Sequence, residues 1–228
     1  MKNTEEKPIY RTETHLHTAE SSFCAMLSAR RMLEIYHEKG YKTVFITDHL
    51  TEKTFEKYDR ETWEESVWRY LRGYREAKVV GDKLGMNVIL GAEITLTESP
   101  NDYLAYGITR EFMLSHPEIY NLTRDELDRE AKKYGIFLVQ SHPYRDGMCF
   151  PTPDCVDGVE VYNSNPRHND FSDKSLAVAR ENGLYITAGS DAHREDDAAL
   201  SGIITDTEIK TSDDFISVIK SGEFTIIE

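Results

Sequence analysis

Short apolar, β-branched runs alternate along the chain with stretches whose apolar residues recur every three or four positions. Residues 43–47 (TVFIT), 87–90 (NVIL), 136–139 (IFLV), 158–162 (GVEVY) and 184–187 (LYIT) read as strands, with weaker runs at 9–15, 103–108 and 202–205. Between them, residues 25–39 place Met26, Ala29, Leu33 and Tyr36 at helical spacing and stop at Gly40. Residues 123–134 open on a Thr123-x-x-Glu126 capping box and stop at Gly135, and residues 172–182 are closed by Gly183. The charged stretch 52–75 is interleaved with Trp63, Trp68, Tyr70 and Tyr74, and predicts a helix with one wet face. Strand–helix alternation of this kind predicts an α/β protein with a mostly parallel sheet, closed or open.

Polar residues gather where the apolar runs stop. The first run leads into His15 and His17, the second into Asp48 and His49, and the third into Glu93. Later runs lead into Ser141 and His142, and into Ser190, Asp191 and His193. In parallel α/β folds, sites are built at the carboxyl ends of the strands. Imidazole and carboxylate groups suit Zn, Mn or Fe, and residues two apart on an extended strand, such as His15 and His17 or Asp191 and His193, share a side. Each element also has a plain structural reading. A His-x-His pair arises by chance, Asp48 serves equally as a helix cap, Glu93 as a solvated residue, and His142 as a core histidine before Pro143. Their joint occurrence at five strand ends favours a metal site.

Charge then narrows the substrate. The 228 residues hold 27 Lys and Arg against 41 Asp and Glu, a net charge of −14. That balance disfavours long nucleic acid and anionic membranes as partners. No stretch is apolar enough to span a membrane, the first residues lack a signal-peptide core, and Cys24, Cys149 and Cys155 read as reduced thiols, so a cytoplasmic location is expected. No linker or repeat divides the chain, so residues 1–228 are expected to form a single domain.

The ordered set His15-Leu-His17, Thr47-Asp48-His49, Gly91-Ala92-Glu93, Ser141-His142-Pro143 and Gly189-Ser190-Asp191-Ala192-His193 resembles the polymerase-and-histidinol-phosphatase (PHP) family of metal-dependent phosphoesterases. The resemblance implies a distorted, TIM-like (β/α)7 barrel with two or three divalent ions at the carboxyl-end mouth. It implies that His15, His17, Glu93 and Asp191 bind one ion, that Glu93 bridges to a second held also by His142, and that His49 and His193 hold a third. Two positions depart from the family pattern. Asp102 stands where a histidine is usual, and an oxygen there favours Mn or Fe. Cys24 follows the first motif, where a soft third-site ligand and a buried free thiol are both open readings.

The activity so implied is hydrolysis of a small phosphomonoester, a nucleotide or a short oligonucleotide by metal-activated hydroxide. Glu93, His193 and Arg145 are the catalytic candidates, His193 or His168 as acid for the leaving oxygen. Arg145, Arg167, His168 and Arg194 are candidates for holding phosphate, each arginine being open also to a surface ion pair. Asp48 is expected to orient a histidine or cap a turn, and Glu160 to stand behind the site if it faces the mouth. Three alternatives stand beside this reading: a histidinol-phosphate phosphatase, a non-catalytic metal-stabilised interaction module, and an amidohydrolase-type barrel. The last usually bridges its metals with lysine, and none lies near Glu93 in sequence.

Overall fold

The computed structural model describes residues 8–58, 61–145 and 153–228; residues 1–7 and Cys149 lie outside them. Strand β1 (Tyr10–Glu13) leads to helix α1 (Ala29–Glu38), β2 (Tyr41–Ile46) and the two-residue β3 (His49–Leu50). Helices α2 (Glu52–Glu56), α3 (Trp63–Tyr70) and α4 (Arg72–Leu84) precede β4 (Asn87–Thr95) and β5 (Asp102–Tyr106). Then come α5 (Arg110–Ser115), α6 (Arg124–Tyr134), β6 (Phe137–Gln140), β7 (Gly158–Asn163), α7 (Ser172–Asn182) and β8 (Tyr185–Gly189). The chain ends with β9 (Gly202–Thr205), α8 (Ser212–Ser221) and β10 (Thr225–Ile227).

The sheet order is β10-β9-β1-β2-β4-β5-β6-β7-β8, with β3 alongside β4. Pairing is parallel except around β5, which opposes both neighbours, and at β9 and β10. Only six residues join β4 to β5, too few for a crossover helix, so that connection must reverse. The sheet curls into a nearly closed barrel. Just past β1 and β8, Leu16 pairs with Ala192, the His17 amide donates to the Ala192 carbonyl at 3.0 Å, and Thr14 Oγ1 donates to the Ala188 carbonyl at 2.6 Å. Glycine is needed at 189 for this closure, because a Cβ there would stand 2.5 Å from the Cβ of His15.

Strand alternation sorts the two faces. Val44 and Ile46 pack outward with Leu33 and Tyr36 of α1 and Val80 of α4, whereas Phe45 points into the barrel. Ile89, Leu104, Tyr106, Phe137 and Val139 join Phe45 there, and α8 covers this floor with Phe215 and Ile219. Ring centroids of Phe45, Tyr106 and Phe215 lie 4.5–5.1 Å apart. Thr123 and Glu126 form the expected capping box on α6, and Gly135 and Gly183 end α6 and α7 in left-handed conformation.

Three expectations are corrected. The stretch 52–75 is not one helix but α2, α3 and the start of α4: Phe55, Val67 and Tyr70 pack in one cluster, while Ala77 and Val80 pack against α1 in another. The helix expected from residue 25 begins at Ala29, because the Ser28 side chain caps it, and Met26 is 67% exposed. The strand expected at 87–90 runs on to Thr95, since β3 and β5 pair with its second half, so Gly91, Ala92 and Glu93 lie in a strand rather than at a turn. Among the described residues, no helix is long and apolar enough to cross a membrane.

Phe215→Ala is expected to destabilise the fold by about 3–5 kcal/mol, as for a large aromatic removed from a packed core. Chemical denaturation measures it; a loss under 1 kcal/mol would show that α8 does not close the floor.

Candidate metal centre

Inward-facing positions change character along the strands, from Ile89 at the floor to Glu93 at the mouth on β4, and from Leu104 to Asp102 on the reversed β5. Asp102 therefore reaches the site from the amino end of its strand, the opposite of the strand-end rule. His15 and His17 follow β1, His49 opens β3, His142 follows β6, and Asp191 and His193 follow β8. All eight expected metal ligands gather at this mouth.

Four overlapping groups of donors result: His15 with His17 and Glu93; His15 with His142 and Asp191; Glu93 with Asp102 and His142; and His17 with His49 and His193. Glu93 Oε1 lies 2.9 Å from His142 Nε2 and 3.3 Å from His15 Nε2, and its Oε2 lies 3.3 Å from His17 Nε2 and 3.0 Å from His49 Nδ1. Asp191 Oδ1 lies 3.5 and 3.3 Å from the Nε2 atoms of His15 and His17. The resemblance assigned His17 to the first group alone; the structure also stacks its ring on His49 and His193, with centroids 4.3 and 4.2 Å away.

Hydrogen bonds behind the site fix three histidine tautomers. His15 Nδ1 donates to Glu160 Oε1 at 2.9 Å. His193 Nδ1 donates to the Asp191 carbonyl at 2.9 Å. Ser22 gives its one proton to Asp48 Oδ1, at 2.6 Å, so its oxygen accepts from His17 Nδ1 at 3.3 Å and from the His49 amide at 3.0 Å. His15, His17 and His193 thus turn their Nε2 atoms toward the centre. The Nε2 atoms of His15 and His17 face one another at 3.1 Å, and those of His49 and His193 at 3.4 Å. Lone pairs opposed in this way repel unless a proton or cation lies between them, so the donor set fits divalent ions.

Electrostatics point the same way. Burial disfavours charge on His15, but Glu160, Glu93 and Asp191 outweigh it and hold its proton affinity well above that of an ordinary histidine. Burial, with His193 and His49 beside it, keeps His17 neutral. Glu93 and Asp191 are held well below the carboxylate range by His15 and their other partners, against the cost of burial. A divalent ion would take over the charge balance that protonated His15 otherwise supplies. Burial opposes ionisation of Cys24, yet hydrogen bonds with His193 and His49 bring the thiol down to about 6.

Above the donors lies a cleft of about 240 Å³, bounded by His49, Asp102, His142 and His193 below and by Arg145, Arg167, His168 and Arg194 around its rim. Arg145 Nη2 donates to Asp191 Oδ2 at 2.7 Å and to Asn163 Oδ1 at 3.0 Å. Arg167 pairs with buried Asp197, which also accepts from the backbone of His193 and Arg194. Arg194 is exposed, and His116 caps α5, hydrogen-bonded to Phe112 and Glu130 away from the site.

Asp48 does not cap a helix, which Thr51 does for α2; its carboxylate accepts from Thr18 and Ser22, and burial raises it to about 6. Glu160 does face the mouth, and its Oε2 also accepts from the His142 amide. Sequence reading missed Glu13, Ser22, Asn163 and Asn165. Only Glu13, a carboxylate at the end of a strand and two residues before His15, carried a signal. Glu160→Gln is expected to weaken metal binding about 10–100-fold, the usual effect of losing a partner behind a ligand histidine. Metal titration reads this, and unchanged affinity would mean that Glu160 does not set the orientation of His15.

Residues 169–224 match the family model described as PHP-associated. An uncharacterised protein of Methanocaldococcus jannaschii is 27% identical over 143 residues, 60% of this chain and 67% of that protein. A Bacteroides vulgatus two-domain protein containing a predicted PHP-like metal-dependent phosphoesterase superposes with a TM-score of 0.71 at 16% identity. That match covers 96% of this chain, which spans 64% of the longer protein. A Chromobacterium violaceum amidohydrolase, solved with bound sulfate and no metal, superposes with a TM-score of 0.57 at 13% identity over 96% of this chain and 98% of its own. The chain is thus similar to the PHP-associated family model over its C-terminal segment, and its barrel has the fold of a PHP-like neighbour.

Proposed function

We propose that the protein is a metal-dependent phosphoesterase acting on a small phosphomonoester or nucleotide. The observation that carries this reading is the position of Glu93, whose two oxygens lie between the group of His15, His17 and Asp191 and the group of His142 and Asp102. His15, His17, Glu93 and Asp191 would hold one ion, Glu93, His142 and Asp102 a second, and His49 with His193 a third. The oxygen-rich second set suits Mn or Fe, and the imidazole-rich third suits Zn. Bound ions supply Lewis-acid charge and make hydroxide available near neutral pH.

The chain's own side chains bind and orient. The Nε of Arg145 is buried and has no hydrogen-bond partner among the described residues, so it offers a donor to a phosphoryl oxygen at the cleft wall. The expected acid role of His193 gives way to ligation, because its Nδ1 proton is spent on Asp191 and its Nε2 faces His49. Burial, with Arg145 beside it, lowers His168 below the ordinary histidine range, so near pH 7 it is neutral and serves as a hydrogen-bond donor.

Cleft size and the net charge of −14 favour small substrates over long nucleic acid. The amidohydrolase likeness leaves C–N hydrolysis as the rival. Against it stand the arginine-rich rim and a carboxylate, rather than a lysine, between the donor groups. A purely structural metal module is disfavoured by the left-handed backbone at His142 (φ 27°) and Asp191 (φ 50°), since such strain is retained where function requires it.

A panel of phosphate monoesters, dinucleotides and amides, assayed with Mn, separates these readings; hydrolysis of amides alone would overturn the proposal. Glu93→Ala is expected to bring phosphatase turnover to background while the fold is kept, and retained turnover would remove Glu93 from the chemistry. Arg145→Ala is expected to raise KM about 10–100-fold, the worth of one hydrogen bond to a charged group. An unchanged KM would place the phosphate contact elsewhere.

A further inference from the structure

The cleft over the metal centre continues outward into a second hollow of about 180 Å³, lined by Arg145, Pro166, Arg167, His168, Asn169 and Phe171. Arg145, Arg167 and His168 line both compartments. Their chemistry differs. The inner compartment is bounded by Asp102 and Asp191 among the histidines, whereas among the described residues no carboxylate lines the outer one. Lys174 adds a further cation beside it, its Nζ lying 4.8 Å from the centroid of the Phe171 ring. Asp170, the acidic residue within this loop, has both oxygens committed, one to the Asn163 amide and the other to the Ser172 amide.

The outer wall is also built rather than draped. Buried Asn165 donates from Nδ2 to the Asp191 carbonyl at 3.1 Å, accepts the Arg167 amide on its Oδ1 at 3.2 Å, and accepts the His168 amide on its carbonyl at 3.2 Å. The Arg167 guanidinium is anchored on Asp197 through Nη1. One asparagine thus ties the outer loop to a ligand-bearing strand end, and one buried carboxylate holds the arginine in place. A guanidinium held this way loses little side-chain entropy when it receives an anion.

We propose that this outer hollow receives a second anionic group, phosphate or carboxylate, carried by the leaving part of the substrate. This inference rests on the phosphoesterase reading and narrows it to substrates with two anionic ends. In the reaction, water adds to phosphorus and the P–O ester bond breaks. The bonding electrons leave on oxygen, which takes up a proton, giving inorganic phosphate and an alcohol that keeps its own anionic group. A neutral leaving group would forgo the charge-assisted hydrogen bonds of the outer wall.

The test compares kcat/KM for three esters of one linker length: propyl phosphate, the phosphate ester of 3-hydroxypropanoate, and 1,3-propanediol bisphosphate. At least one of the doubly anionic esters is expected to be preferred over propyl phosphate by about 10-fold or more, and which one leads tells carboxylate from phosphate. His168→Glu, which places a carboxylate in the hollow at an exposed position, is expected to remove that preference. Arg167→Met is expected to reduce it, with circular dichroism checking that Asp197 without its partner has not unfolded the loop. Equal kcat/KM for all three esters, or a preference that survives His168→Glu, would overturn the inference and leave the phosphoesterase reading standing. Hydrolysis of none of the three, and of no phosphate ester in the wider panel, would overturn both.

Discussion

The buried carboxylate of Glu13 holds the barrel together where it closes. Its Oε1 accepts the amides of Thr14, His15 and Ser190, each at 2.9 Å, and its Oε2 accepts the hydroxyl of Tyr36 at 2.6 Å. No solvent reaches it. Burial is the larger effect and pushes its proton affinity up, while the four donors converging on this one group oppose the shift. Through this one side chain the end of β1, the end of β8 and the face of α1 share an anchor. His15 and His17 follow on one side of it, Asp191 and His193 on the other. The spacing between two ligand pairs that are 176 residues apart in sequence is thus set by a residue that binds no ion in the proposed site.

The rest of the centre follows from strand periodicity. On β4 the same inward register that puts Ile89 on the floor puts Glu93 at the mouth. On β5, reversal by a short hairpin turns the first residue rather than the last toward the site. Around this ring a second layer of Glu160, Ser22 and Asp48 takes up the outward-facing imidazole protons, and Asn165 holds the backbone at Asp191. These polar groups are buried almost without exception, so each one's partner is fixed by the cost of leaving it unpaired.

Much of this was legible in the sequence, and the parts that were not share causes. Ligand residues stood out because His, Asp and Glu are rare at the ends of apolar runs. The helices closed by Gly135 and Gly183 were readable because their caps are local. The division of residues 52–75 into three helices was hidden, since it depends on which clusters Phe55, Tyr70 and Ala77 meet. Strand β4 was cut short in the reading because Gly91, Ala92 and Glu93 break the apolar pattern that its partners β3 and β5 restore. Ser22, Asn163 and Asn165 are small polar residues in loops, and only the fold shows what they face. Glu160 sat in an apolar run whose alternation admitted both faces.

The left-handed backbone at His142 and Asp191 has an evolutionary consequence. A non-glycine residue held in that region costs on the order of 1–3 kcal/mol. Glycine would relieve that cost at either position, and with it the chain would lose an imidazole or a carboxylate from the mouth. Selection for heat resistance alone would therefore drift toward a more robust barrel with an impaired centre. Thermostable variants of this chain are best sought in the outer helices, where the backbone is relaxed and the side chains touch no ligand.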